Sequence, residues 1–304
     1  MPIEFTLTTS LDSKGRTVHS AQRKNSNEPA FIVGTASKYL DTMLGLSNTG
    51  NSKDLAYNYP DYTGGNGFWA IFIYPTAMAE SKGRFICLNT YDAAYFTFTF
   101  MQYAAHVAKG DFVDFFRRLL AFPNAKDYFP KLVLKDGRIC FKNADGSLTQ
   151  LEDDKSTQKL REYLNPTNTA VENQEIVCGA RMVHWANNDA HHRALQVQTA
   201  VELYKRNQAA YDKQYGLDGA PAKVCMIVCD IRHQGRAKST VIKAALDTKG
   251  DWAKAYTNLL AIGEVDYKNR ISTLRTTIAD LEGKGLLNKV WSRSKKDFVD
   301  SPTK

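Results

Sequence analysis

Two carboxyl-bearing residues, Glu80 and Asp92, stand in a stretch that changes from apolar and helix-forming to turn-rich and strand-like, AMAESKGRFICLNTYDAAYFTFTFMQYAAH over residues 77–106. Cleavage of a glycosidic bond needs one acid to protonate the leaving oxygen and a second carboxylate to aim water or support an oxocarbenium ion. A general acid working near neutral pH needs a raised pKa, which apolar surroundings supply by desolvation. Trp69, Phe72, Ile73, Met78, Phe98 and Phe100 are the apolar residues expected around Glu80, with Ser81 or Gln102 to orient it. The competing reading of Glu80 is a capping or surface glutamate at a helix end. Asp92 is expected on a hairpin that folds back toward Glu80, and a carboxyl separation of about 6.5–9.5 Å would indicate inversion. Its competing reading is a turn aspartate, because Asn89-Thr90-Tyr91-Asp92 has turn composition.

Other reactive residues form weaker patterns. His184, His191 and His192 with Asp189 match no helical pair of metal ligands, and cationic helix-end or surface histidines are expected. The five cysteines, Cys87, Cys140, Cys178, Cys225 and Cys229, cannot all pair within one chain and include no Cys-x-x-Cys motif. Cys225 and Cys229 lie in the apolar run VCMIVC and read as buried thiols. Neither a Gly-rich phosphate loop nor a serine nucleophile elbow is present. No metal and no cofactor is expected.

With 40 basic and 32 acidic residues the chain carries a formal charge of +8, which favours an anionic partner and disfavours a polycationic substrate such as chitosan. Basic residues concentrate late in the chain, but acids interrupt them. They read as a solvated helical face, and no recognised module supports nucleic-acid binding. No apolar run is long enough to span a bilayer. The first residues, MPIEFTLTTSLDSKGR, lack the pattern of a secretory signal, so a target outside the cytoplasm implies delivery by a dedicated machine or release by lysis.

The elements that must position these residues are mainly helical, with small β elements. Residues 1–62, polar and rich in Asn and Ser, read as an irregular N-terminal extension, and 63–304 as the catalytic domain. The run FWAIFIYPTAMAES forms an apolar helix that Pro75 either starts or kinks, the longer form beginning near Trp69. A hairpin follows Gly83. Helices resume at about Met101–Val107 and in DFVDFFRRLLAF, where Phe112, Phe115, Phe116, Leu119 and Leu120 form one face. A small β insertion spans about 128–151, with turns at Asp136-Gly137 and Asp145-Gly146. The remainder reads as helices.

Glu80-Ser81, followed by a hairpin and then Phe100-Met101-Gln102, resembles the lysozyme superfamily, in which goose-type lysozymes and lytic transglycosylases show a Glu-Ser pair and a Gly-Leu-Met-Gln-like run. Asp92-Ala93-Ala94-Tyr95-Phe96-Thr97 is similar in placement to the Asp-x-x-Tyr-Thr segment of chitosanase-like glycosidases. Thr99-Phe100 stands where the family has Gly-Leu or Gly-Phe, and Ala94 where it has glycine. A second echo is Asp230-Ile231-Arg232-His233-Gln234-Gly235, similar to an Asp-x-x-x-Gln-x-Gly run of chitosanase-like muramidase domains. The resemblance implies a two-lobed lysozyme-like fold with a hairpin at the active site and a cleft for β-1,4-linked amino sugars. It implies Glu80 as general acid and Asp92 as base or electrostatic partner. Ser81, Tyr95, Thr97, Gln102, Asp230 and Gln234 would bind substrate, and Arg270 would brace the cleft. Asp230 reads equally as a member of a buried salt bridge. Tyr91, Tyr95 and Tyr103 are candidates to stack on sugar rings, or to belong to the core. The implied activity is muramidase-like cleavage of peptidoglycan glycan strands, by an antibacterial effector or a phage-type lysin. An effector would need an acidic immunity protein as partner. The alternatives are a lytic transglycosylase or a non-catalytic wall-binding or assembly protein.

Overall fold

The computed structural model describes residues 2–51 and 54–301 of a mixed α+β chain. Its strands are β1 (Phe5–Leu11), β2 (Thr17–Arg23), β3 (Phe31–Tyr39), β4 (Met43–Asn48), β5 (Leu88–Asn89), β6 (Thr97–Phe98), β7 (Tyr103–Ala104), β8 (Leu132–Lys135), β9 (Arg138–Lys142), β10 (Leu148–Gln150), β11 (Lys289–Ser292) and β12 (Asp297–Asp300). Its helices are α1 (Thr63–Asn66), α2 (Phe68–Ser81), α3 (Asp111–Leu120), α4 (Ala125–Tyr128), α5 (Gln158–Leu164), α6 (Asn173–Asn188), α7 (Ala190–Tyr215), α8 (Ala222–Gln234), α9 (Ser239–Leu246), α10 (Trp252–Ala261) and α11 (Lys268–Gly283). The chain divides into two compact units, Met1–Ala56 with Arg84–Thr199, and Tyr57–Gly83 with Ala200–Lys304. This division differs from the expected boundary after residue 62: the second unit takes in α2 from the middle of the chain, and α7 belongs to both.

The first unit is built on a seven-stranded antiparallel sheet in which β1 to β7 pair in sequence order. Residues 5–48 therefore form a four-stranded meander where an irregular extension was expected. Short turns dictate it. Asp12 accepts the backbone N–H groups of Lys14 and Arg16, each at 2.9 Å, and closes the first turn. Leu40 and Asp41, with φ of 48° and 56°, make the left-handed turn between β3 and β4. The strands are rich in Ser and Thr, and β1 keeps most of its residues exposed. Such strands lack the strong apolar alternation by which a half-buried strand is recognised.

The expected hairpin after Gly83 is present, with Leu88 opposite Phe98 and Asn89 opposite Thr97. The helix expected at Met101–Val107 is not. Thr99 and Gln102 take φ of 90° and 56°, and Gln102 Nε2 donates to the carbonyls of Thr99 at 2.9 Å and Cys87 at 3.2 Å, so the chain turns back into β7. Phe112, Phe115, Phe116 and Leu119 of α3 are fully buried. Helix α6 lies close on the sheet at Gly179, where an added Cβ would come within 2.9 Å of the Leu88 and Val33 side chains. Strands β8–β10 form the small β insertion.

In the second unit α2 is apolar almost all round and buried accordingly. Pro75 lies inside this helix, as in the longer of the two expected forms. Its Trp69 and Phe72 pack on Phe298, with ring centroids 5.2 and 4.9 Å apart, and Trp69 Nε1 donates to Asp297 at 2.8 Å. Helices α8 and α11 pack against α2. The left-handed residues Lys82 and Gly83 end it, donating to the carbonyls of Met78 and Ala77 at 3.1 and 3.0 Å.

Candidate functional site

Glu80 occupies the last turn of α2, the negative end of the helix dipole, where a carboxylate needs a cation nearby. Two elements of the same unit supply one. Its Oε1 lies 2.7 Å from Nη2 of Arg270, in the first turn of α11, and 3.4 Å from Nε2 of His233, in the last turn of α8. The Glu80 side chain is 17% exposed and that of Arg270 9%. The ion-pair partners of Glu80 are thus Arg270 and His233. Phe98 and Phe100 belong to the other unit.

Arg270 is itself held from behind. Its Nη2 donates to Asp230 Oδ1 at 2.6 Å and its Nε to Oδ2 at 3.2 Å. Gly235, with φ of 75°, ends α8 in a left-handed turn that carries Arg236 back over the helix. Arg236 Nη1 donates to Asp230 Oδ2 at 2.5 Å and to Gln234 Oε1 at 3.2 Å, and its Nε donates to the Ile262 carbonyl at 3.3 Å. Four charges alternate along one line: Glu80, Arg270, Asp230, Arg236. The Asp230 and Arg236 side chains are fully buried.

Burial is the largest influence on Asp230 and pushes its pKa up, but the guanidiniums of Arg270 and Arg236 together hold it below the ordinary carboxylate value. Burial alone would lower the pKa of Arg270, yet Asp230 and Glu80 raise it. The arrangement keeps Arg270 charged and aimed at Glu80. Removing either partner of such a buried pair strands a charge, which is why its geometry is firmly fixed. The ring of Tyr204 lies 5.9 Å from that of His233 and walls the site from α7.

The remaining expected site residues divide between the units. Asp230 and Gln234 join Glu80 in the network, Asp230 through the buried salt bridge anticipated as its structural role. Ser81 is buried beside Glu80, with its Oγ 3.5 Å from the Ala77 carbonyl. Asp92, Tyr95, Thr97 and Gln102 belong to the first unit. There Asp92 Oδ1 accepts the Ala94 N–H at 2.9 Å and Oδ2 accepts from Asn89 Nδ2 at 3.0 Å, an Asx turn. Tyr95 is left-handed, with φ of 62°, and its ring carries the Arg161 guanidinium at 4.9 Å. Thr97 is buried on β6.

Three residues escaped the sequence reading. Arg236 and His233 lie beside quoted motif positions, and their one signal is the density of charge in DIRHQGR at the end of an apolar helix. The third is Glu175, fully buried under the sheet at the start of α6. It accepts the Leu46 N–H at 3.0 Å and a hydrogen bond from Thr90, and burial pushes its pKa up to about 7. Its signal is the spacing Glu172–Glu175, which forms a capping box.

Of the three histidines, His191 lies exposed at the start of α7 as expected, while His184 and His192 depart from expectation. His184 is buried between Glu28 Oε2 at 2.6 Å and the Tyr128 hydroxyl at 3.0 Å. Burial lowers His192 to about 3, so it is neutral rather than cationic. All five cysteines are buried, and no group of three or more His, Cys, Asp or Glu that could hold a metal occurs among the described residues. No described helix is long and apolar enough to cross a membrane. No protein-family model matches the chain, and neither a curated protein nor a solved structure matches it.

Proposed function

We propose that this protein is a glycoside hydrolase of lysozyme-like fold that cleaves the glycan strands of peptidoglycan, with Glu80 as general acid. One observation carries the reading. Glu80 and Asp230, singled out from separate motifs 150 residues apart by number, are joined through Arg270 in a single buried ion-pair network. Arg270 shares one nitrogen between the two carboxylates, so Asp230 can retain the guanidinium when Glu80 leaves the ion pair, takes up a proton from solvent and turns to deliver it to a glycosidic oxygen. The network then acts as a positioning device: Arg270, Asp230 and Arg236 fix Glu80, and Glu80 alone would touch substrate. The formal charge of +8 suits an anionic wall.

Purified sacculi incubated with wild type should release soluble glycan fragments detectable by mass spectrometry. Glu80→Gln should lower the rate by about 10²–10⁴, the usual worth of general acid catalysis. Fragment release by Glu80→Gln at the wild-type rate would remove Glu80 from the mechanism, and no release by wild type would remove the activity. A second reading is favoured by the Asx turn, which engages both Asp92 oxygens. In it a single carboxyl acts and the sugar's own hydroxyl attacks, as in a lytic transglycosylase. Product mass separates the two, because hydrolysis adds water and the transglycosylase route does not.

A further inference from the structure

One face of the seven-stranded sheet carries a row of neutral polar side chains. Thr35 pairs with Ser47 and Ser47 with Asn89, so these three project from the same face of β3, β4 and β5. Their neighbours alternate to the opposite face, where Leu46 and Leu88 lie near Gly179 of α6. Thr35, Ser47 and Thr49 line one side of a cavity of about 770 Å³, and Phe31 with Val183 and Asn187 of α6 line the other, so the cavity lies at the margin of this face rather than on it. Ligand sites span roughly 300–1,000 Å³. The hydroxyls of Thr35, Ser47 and Thr49 and the Asn187 carboxamide have no side-chain hydrogen-bond partner among the described residues.

Asn48 is pinned at the rim of this cavity. Asn48 Nδ2 donates to the Ile32 and Val33 carbonyls at 3.1 Å each, and its Oδ1 accepts the Gly50 N–H at 2.8 Å. Charge is balanced, since the ionisable lining residues are Arg16 and Asp54, and Arg16 is already paired with Asp12 at 2.7 Å. A phosphate or polyanion finds no surplus cation there. A neutral ligand rich in hydroxyl and amide groups finds both donors and acceptors.

Further along the same face the Tyr39 ring, 45% exposed, lies 6.3 Å from that of Tyr91. Aromatic rings with a polar tip suit a ligand that is apolar on one side and wet on the other. Asn89 ties the face to Asp92, and two strand spacings, about 10 Å, separate it from Thr35.

We propose that this sheet face is an oligosaccharide-binding site for a stretch of β-1,4-linked N-acetylated amino sugar, with the cavity at one end and the Tyr39–Tyr91 pair at the other. The proposal rests on the glycan-cleaving reading for its choice of sugar. It assigns the N-terminal meander, outside both quoted motifs, a role in holding the strand.

The test is calorimetric titration of the tetramer of β-1,4-linked N-acetylglucosamine into the full chain carrying Glu80→Gln, which blocks turnover. Saturable binding is expected. Adding Thr35→Val with Ser47→Ala, which replaces one hydroxyl by a methyl and deletes the other, should weaken it at least tenfold, as should Tyr39→Ala. Asn187→Ala, on α6 rather than on a strand, should weaken binding as well, and thermal unfolding of each variant should match the parent, which separates a lost contact from a folding artefact. Absence of binding, or affinity unchanged in these variants, overturns the site. Fragment release from sacculi is scored separately: release without variant-sensitive binding leaves cleavage standing and removes this site, and variant-sensitive binding without release does the reverse.

Discussion

Asp230→Asn should be among the most damaging conservative substitutions in the second unit. The carboxylate is fully buried and is the common acceptor for Arg236 Nη1 at 2.5 Å and Arg270 Nη2 at 2.6 Å. Without that charge, Arg236 faces only neutral oxygens, those of the new carboxamide, Gln234 and Ile262, while its side chain remains fully buried. Removing one partner of a buried ion pair costs about 3–5 kcal/mol. The second unit falls in size between the domains that lose about 4–8 °C and those that lose about 2–4 °C per kcal/mol, so at about 4 °C per kcal/mol the melting temperature should fall by roughly 12–20 °C. Thermal unfolding at pH 7, followed by near-ultraviolet circular dichroism, is the assay. Adding Arg236→Met should recover part of the loss, because the stranded cation leaves with its partner. The sign with pH follows from the depressed folded pKa of Asp230: its contribution is fully present above the unfolded value of 3.8 and is lost as pH falls through the lower folded value. The gap between wild type and variant should therefore close in strong acid. A loss under about 1 kcal/mol at neutral pH, well short of the range for buried pairs, would refute the view that this network is a tightly coupled buried unit. So would a double variant worse than the sum of its parts.

Other outcomes follow from the same reasoning. Glu175 titrates at about 7 when folded and at 4.5 when unfolded, so the folded state binds the extra proton between these values and stability falls as pH rises through that window. Glu175→Gln should flatten that slope in urea titrations, leaving the variant better off at pH 8 by on the order of 3 kcal/mol relative to its standing at pH 4. Gly45→Ala would place a Cβ 2.6 Å from the Thr90 carbonyl carbon. It should cost about 1–3 kcal/mol of stability in denaturant unfolding, because backbone rather than a flexible side chain must move. Arg270→Met should reduce fragment release while leaving Asp230 bonded to Arg236. Activity restored by Arg270→Lys would show that a point charge suffices there, against the shared guanidinium geometry described above.

Helices were the most legible part of the fold. The 3.6-residue stripe of α3 and the apolar run of α2 announce buried faces without any tertiary information, because a helix repeats its burial pattern within a dozen residues. The β insertion was legible for a similar reason, since Asp136-Gly137 and Asp145-Gly146 are turns by their own chemistry. The N-terminal meander was not. Thr, Ser and Asn make both loops and solvated strands, and the choice falls to pairing partners that include Asn89, far along the chain. The Met101–Val107 segment failed in the same way, because Gln102 is turned by bonds to Thr99 and Cys87 rather than by its neighbours' propensities.

For the site, the sequence by itself determined the chemical inventory: a glutamate at the end of an apolar helix, an aspartate in a turn, and an acid-base run closing α8. Only the tertiary structure decided what each carboxylate faces. Glu80 received Arg270 as its ion-pair partner, and Asp230 received two guanidiniums. The physical reason is that burying charge is tolerable only where opposite charge arrives with matched geometry. That partner lies 190 positions from Glu80 by number, and packing, not local propensity, brings it there.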